Sequence, residues 1–192
     1  MIDAPNPETD EETSVCALSF NAHDASGAGG LAADTLTMAS VGAHPMGVMA
    51  ACYFRDTAET TGQQALDDEA VIEQARQVLE DIPVQVFKVG FVGSVENLSA
   101  VASICADYAE VPVVAYMPGL SWWDEEPMEE YLDAFRGLIL PQTMVLVGEH
   151  HQLWRWLLPD WSADKPPGAR DIARAAAEAG TPYTLVTGLP GP

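Results

Sequence analysis

Short, continuously apolar runs alternate with longer amphipathic segments along this chain. Val15–Asn21, Pro45–Phe54, Pro83–Gly90, Val111–Met117, Thr143–Gly148 and Thr181–Gly188 read as strands, because each is apolar on both alternating faces. Between them lie segments with helical spacing. Gly30–Val41 is closed by Gly42, and Ile72, Ala75, Leu79 and Ile82 share one face of a helix that Asp67 or Asp68 caps. Ser94 caps a helix with Leu98, Val101 and Cys105 turned inward. Met128–Leu138, His150–Leu158 and Asp171–Gly180 are the remaining helical segments, and 118–127 reads as irregular. Strands buried on both faces and separated by helices predict a parallel sheet covered on both sides. The expected fold is therefore α/β, a three-layer α/β/α sandwich with a mostly parallel central sheet. Residues 1–13 read as a disordered acidic leader, and 14–192 as a single domain.

In such sheets ligands bind beyond the carboxyl ends of the strands. The candidate site residues are then His23 to Gly30, Arg55 and Asp56, Lys88 to Phe91, Tyr116 to Pro118, and Gly148 to Glu149. The glycine-rich turn after the first strand is the most distinctive. Two readings are open for it: a cradle where backbone N–H groups meet a ligand at a helix N-terminus, or a tight turn for close helix–sheet packing.

Charge narrows the classes of partner. A net charge of −21, with Lys88 and Lys165 as the only lysines, repels nucleic acid and anionic membrane surfaces. No apolar run reaches the roughly 18 residues of a membrane span. Cys16, Cys52 and Cys105 lack metal-ligand spacing and read as reduced core thiols of a cytoplasmic protein. Adjacent histidines His150 and His151 point in different directions on a helix, so a zinc site beside Glu149 is the lesser reading. Trp154, Trp156 and Trp161 suit core packing or a subunit interface. Trp122 and Trp123 suit a docked loop, or a cover over a flat aromatic ligand.

The segment Asp24-Ala25-Ser26-Gly27-Ala28-Gly29-Gly30-Leu31-Ala32-Ala33-Asp34 resembles the S/T-D-P-S-G-G-A-G-I-Q-A-D segment of the hydroxymethylpyrimidine/phosphomethylpyrimidine kinases of thiamine biosynthesis. Asp24, Ser26, Gly27, Gly30, Ala33 and Asp34 fall in register. The similarity continues through Leu36–Met46, Asp56-Thr57, Leu79–Gly90, Gly93–Asn97 and Leu138–Thr143. It implies a ribokinase-like fold and transfer of phosphate from ATP, with Mg²⁺, to hydroxymethylpyrimidine or its monophosphate. It also implies a homodimer and a small pyrimidine-like ligand held by Asp34, Arg55, Phe91, Gly27 and Gly30.

The departures fall at functional positions. Arg55 stands where the family has a pyrimidine-reading glutamine, and Phe91 where it has methionine. Tyr116-Met117-Pro118 replaces D-P-V, and Val147–Gln152 replaces T-P-N-x-x-E, leaving Glu149 as the nearby carboxylate. Family members continue past the 181–188 strand into the segment that forms their anion hole. These residues name no catalytic group and no metal ligand, and the 192 residues alone are expected not to transfer phosphate at a useful rate, leaving only background turnover. If Asp34 and Arg55 reach the same strand-edge cleft, they are expected to pair through a charge-assisted hydrogen bond. The alternative function is a non-catalytic ribokinase-fold relative that binds or regulates through a small molecule.

Overall fold

The computed structural model describes residues 14–189, so the expected acidic leader lies outside the described residues. The sheet has seven strands in the order β3-β2-β1-β4-β5-β6-β7. They are β1 (Cys16–His23), β2 (His44–Arg55), β3 (Thr60–Ala65), β4 (Val86–Val89), β5 (Val113–Met117), β6 (Thr143–Glu149) and β7 (Tyr183–Thr187). The helices are α1 (Gly30–Ser40), α2 (Asp68–Asp81), α3 (Val95–Asp107), α4 (Glu125–Ala134), α5 (His150–Leu157) and α6 (Ala169–Glu178). All strand pairs are parallel except β2–β3. The mostly parallel α/β sheet is thus as the apolar runs imply.

Three local features differ from the sequence reading. β3 is an extra edge strand, hairpin-paired to β2, and its Thr-Thr-Gly-Gln-Gln run carries no apolar signal. Edge strands tolerate such polar composition because one side faces solvent. The segment before β6 begins its helix earlier, at Glu125, with Pro127 accommodated in the first turn. It then widens into a π-helical turn over Phe135–Ile139 and closes as a 3₁₀ turn over Leu140–Gln142. Ser94 caps α3 as expected, its hydroxyl accepting from the Asn97 N–H at 3.1 Å.

Strand order sets the layers. Right-handed crossovers place α1 on one face, where it packs on β1 and β2, because β2 lies on the opposite side of β1 from β4. On the other face α2 packs on α3, α3 on α4 and α5 on α6. The core between those helices and the sheet holds fully buried Leu18, Phe20, Phe87, Leu98, Leu146 and Ile172. Among the described residues, the α1 layer stops at β1–β2. Beyond it the same sheet face continues through register partners Lys88, Val114, Val145 and Tyr183, and through Tyr116, Val147 and Leu185. Tyr183 is 64% and Leu185 56% exposed there, an apolar surface unusual for a parallel sheet.

Candidate functional site

The site grows from the loop that joins β1 to α1. Asp24 follows the strand and is buried; its Oδ1 accepts from the Ser26 N–H at 2.9 Å and the Ser26 hydroxyl at 2.7 Å. The Ser26 oxygen in turn accepts from the Ala28 N–H at 3.3 Å, and Gly27 N–H closes a turn onto the Asp24 carbonyl at 3.1 Å. Gly27 and Gly30 take φ values of +74° and +60°, a region that favours glycine. Gly30 is doubly constrained, because a Cβ there would overlap the Ala22 carbonyl oxygen. These two glycines therefore shape the loop by backbone conformation, whatever else they touch.

Arg55, at the end of β2, reaches back to this loop. Its Nη1 stands 3.4 Å from the Asp24 Oδ2, and its Nε donates to the Asp56 carbonyl at 3.1 Å. The Nη1–Oδ2 approach is an ion pair without hydrogen-bond geometry, so Oδ2 is buried and accepts no hydrogen bond among the described residues. Burial alone would raise the Asp24 carboxyl; the Ser26 hydrogen bonds and the Arg55 charge outweigh it and hold the group below its usual range.

Asp34 lies elsewhere. It points from α1 down onto the sheet, where its Oδ2 accepts from the Ser19 hydroxyl at 2.6 Å, Asn21 Nδ2 at 2.9 Å and Lys88 Nζ at 2.7 Å. Asp34 and Arg55 do not share a cleft, so they do not pair; each has a different partner. The reason is the strand order. Ser19 and Asn21 on β1 and Lys88 on neighbouring β4 lie beneath α1, whereas Arg55 extends past the end of β2 to the loop. Burial lowers the Lys88 ammonium below its usual pKa, although Asp34 opposes the shift. Its Nζ also lies 5.7 Å from the Tyr116 ring centroid.

Phe91 is fully buried, so it stands behind the site rather than at a ligand-facing position. It stacks on Tyr53 with centroids 5.3 Å apart and meets Trp122 and Trp123 edge-on at 5.8 and 5.3 Å. The tryptophan pair is therefore docked: Trp122 stacks on Trp123 and donates Nε1–H to the Gly119 carbonyl at 3.0 Å. Tyr131 closes the cluster from α4, its hydroxyl accepting from the Val92 N–H at 3.0 Å. Tyr53, two residues before Arg55 on the same strand face, is the aromatic that borders the ionic groups. Burial pushes its phenol up, with the Arg55 charge opposing and Asp24 adding to the shift. Period-two alternation from Arg55 was the available signal for it. Nothing in the sequence pattern marked the pairing of Asp24 with Arg55.

The other sequence candidates separate from this site. His150 is buried with Nε2 2.7 Å from the Pro167 carbonyl, while His151 is exposed. Among the described residues no three His, Cys, Asp or Glu side chains gather to hold a metal. Trp156 is buried and donates to the Leu132 carbonyl at 3.3 Å, so it is a core residue. A cavity of about 720 Å³ opens between α4 and α5, bordered by Met117, Met128, Arg136, Arg155 and Trp156. No helix among the described residues is long and apolar enough to cross a membrane.

The family model for phosphomethylpyrimidine kinase matches residues 24–191. Over 186 residues the chain is 28% identical to the hydroxymethylpyrimidine/phosphomethylpyrimidine kinase of Streptomyces coelicolor, covering 96% of this chain and 67% of that protein. The Mycobacterium leprae protein of the same name is 29% identical and is covered over 51% of its length, against 74% of this chain. Among solved structures, phosphomethylpyrimidine kinase from Clostridium difficile 630 superposes with a TM-score of 0.79 at 19% identity, covering 90% of this chain and 76% of that one. Pyridoxal kinase from Staphylococcus aureus, in complex with AMP-PCP and pyridoxal, gives 0.77 at 15% identity, covering 92% of this chain and 63% of its own. The two likenesses to solved structures establish the ribokinase-like fold; the family match, extending from the buried Asp24 through the last strand, makes this chain a member of the phosphomethylpyrimidine kinase family.

Proposed function

We propose that the chain carries the substrate side of an ATP-dependent kinase for hydroxymethylpyrimidine or its monophosphate, in thiamine biosynthesis. The observation that carries this reading is the loop of 24–30. It sits at the carboxyl edge of a parallel sheet with the Asp24–Arg55 pair on it, and the Asp34–Lys88 pair lies beneath the following helix. The names of the Streptomyces and Mycobacterium relatives supply the substrate. A ring bound there rests against Gly27 and Gly30, with Arg55 at one side and Tyr53, backed by Phe91, at the other.

The nucleotide is ATP by family membership, and a S. aureus neighbour was solved with AMP-PCP. Magnesium commonly binds through one or two carboxylates together with nucleotide phosphates. Glu149, exposed at the carboxyl end of β6, is the residue here that fits such a role. The strand end at Tyr116–Met117–Pro118 offers no carboxylate. Chain residues then bind and orient the substrate, while charge stabilisation at the phosphate is thin.

A cytoplasmic homodimer is the assembly this reading favours. Leu36 and Val41 on the α1 side and Phe54 on β2 are exposed and uncharged, a surface suited to a second copy near the second strand. Of the tryptophans at 154, 156 and 161, Trp156 is buried in the core.

The second reading, a binding or regulatory relative, is favoured by the missing carboxylate at 116–118. Product analysis separates the two. Purified chain incubated with hydroxymethylpyrimidine, ATP and Mg²⁺ is expected to form the phosphate ester, at a rate about 100-fold or more below a fully equipped relative, since one lost preorganised contact costs that much. Binding of the substrate with no product above an enzyme-free control would favour the regulatory reading instead.

A further inference from the structure

The cavity of about 720 Å³ between α4 and α5 shares no residue with the 24–30 loop or with Arg55. Its size is that of a small-ligand pocket, typically about 300–1,000 Å³. Met117 at the end of β5, Leu120, Leu132 and Trp156 supply apolar wall. Arg136 enters from the π-helical turn over Phe135–Ile139, a kind of turn frequent at functional sites. Its guanidinium is under-bonded. Nη2 donates to the Trp156 carbonyl, and Nε is buried with no acceptor among the described residues. Nη1 makes no hydrogen bond there either, yet it is not sealed from solvent. The guanidinium carbon lies 5.7 Å from the Trp156 ring centroid, which holds the group against an aromatic wall.

Charge sets this cavity apart from the rest of the surface. The chain carries 29 acidic residues against eight lysines and arginines, so acid partners are abundant. Arg136 and Arg155 both line the cavity, and neither forms an ion pair among the described residues. Even Asp133, three residues before Arg136, leaves it unpaired. Glu125, Glu129 and Asp133 line the cavity too, but they are exposed and keep their hydration. The half-buried charge is therefore cationic, and the exposed rim is acidic.

We propose that this cavity binds a small monoanion with an apolar body, a carboxylate on Arg136 Nη1 with Arg155 as the second cation, and the body against Leu120, Leu132 and Trp156. A carboxylate gives the guanidinium the charge-assisted hydrogen bond it lacks. The acidic rim limits the ligand's charge, because each further negative group meets like charges on α4. A polyphosphate nucleotide is disfavoured for that reason, so the site is separate from the kinase reading and does not depend on it.

Calorimetry on the full chain tests this with three probes of similar shape: hydrocinnamate, its neutral amide, and phenylsuccinate, which adds a second carboxylate. Hydrocinnamate is expected to bind about 10- to 100-fold more tightly than the amide, the range for a hydrogen bond to a charged group. Phenylsuccinate should bind no more tightly than hydrocinnamate. Arg136→Gln should abolish the preference for the acid over the amide. Arg155→Gln, at an exposed position, should reduce it, which keeps the test sound if Arg136→Gln folds poorly. Amide shifts on adding hydrocinnamate should fall on Met128–Arg136 and Gln152–Trp156, with the 24–30 loop silent. Equal affinities for acid and amide, tighter binding of the dianion, displacement of hydrocinnamate by ATP, or no binding of any probe would each overturn the proposal.

Discussion

Replacing Gly30 with alanine is expected to lower the melting temperature by roughly 5–15 °C. Two separate strains add at that position. Its φ of +60° costs an L-residue energy, and the new methyl group would run into the Ala22 carbonyl oxygen of the preceding strand. That oxygen belongs to backbone and has no rotamer to escape through. Together the effects amount to about 2–5 kcal/mol. Relief requires the loop to pull away from β1, which moves Asp24 off Arg55, so substrate affinity should fall along with stability. Gly27→Ala is the informative control. It carries the same kind of φ, +74°, but a Cβ there meets nothing within 4 Å, so its loss should be smaller. Differential scanning calorimetry of the two variants measures the difference. Equal melting temperatures would show that the Ala22 contact is not what fixes the loop.

Removing the carboxylate of Asp34 should be as damaging by another route. Asp34→Ala deprives Lys88, Ser19 and Asn21 of their shared acceptor at one stroke. The side chains of Lys88 and Asp34 are only 14% and 17% exposed, so water replaces little of what is lost. Breaking one partner of a buried pair costs about 3–5 kcal/mol because the other charge stays behind. The pH dependence follows from Lys88. Burial already depresses its folded pKa below the unfolded value, so the unfolded chain binds more protons in the interval between the two. The cost of burying the ammonium is thus present at lower pH and is relieved as pH rises through the folded pKa. Without Asp34 the depression deepens, and the deficit of Asp34→Ala against the native chain should be largest at neutral pH and shrink in alkaline solution. Thermal melts at both ends of that range check the sign. A deficit that grows with pH would contradict the assignment of Lys88 as the stranded charge.

The alternation of apolar runs with helical segments was enough to read the parallel sheet, because strands buried on both faces leave an unambiguous pattern. β3 escaped that reading since its stability comes from hairpin pairing with β2 and not from an apolar face. The widened turn at 135–139 escaped for a related reason: a π-helical turn keeps helical composition and differs only in which carbonyl each N–H finds. Strand ends place Arg55 and the 24–30 loop at the carboxyl edge of the sheet, while Lys88 lies on β4 beneath α1. Their pairing was not legible, since it depends on which strands are neighbours. With β1 between β2 and β4, Lys88 comes under α1 and takes Asp34, and Arg55 is left with Asp24. Phe91 shows the same limit. The family resemblance implied contact between Phe91 and a ligand, yet Tyr53 and the docked tryptophans cover it.

Binding of a pyrimidine at the β1–α1 loop is tested most directly by amide chemical-shift mapping of the purified chain. Titrating hydroxymethylpyrimidine into labelled protein should move the signals of Ser26 to Gly30 and of Arg55 and Asp56 progressively, leaving α4 and α5 unchanged. Shifts confined instead to the α4–α5 cavity around Arg136 and Trp156, with the 24–30 loop silent, would contradict it.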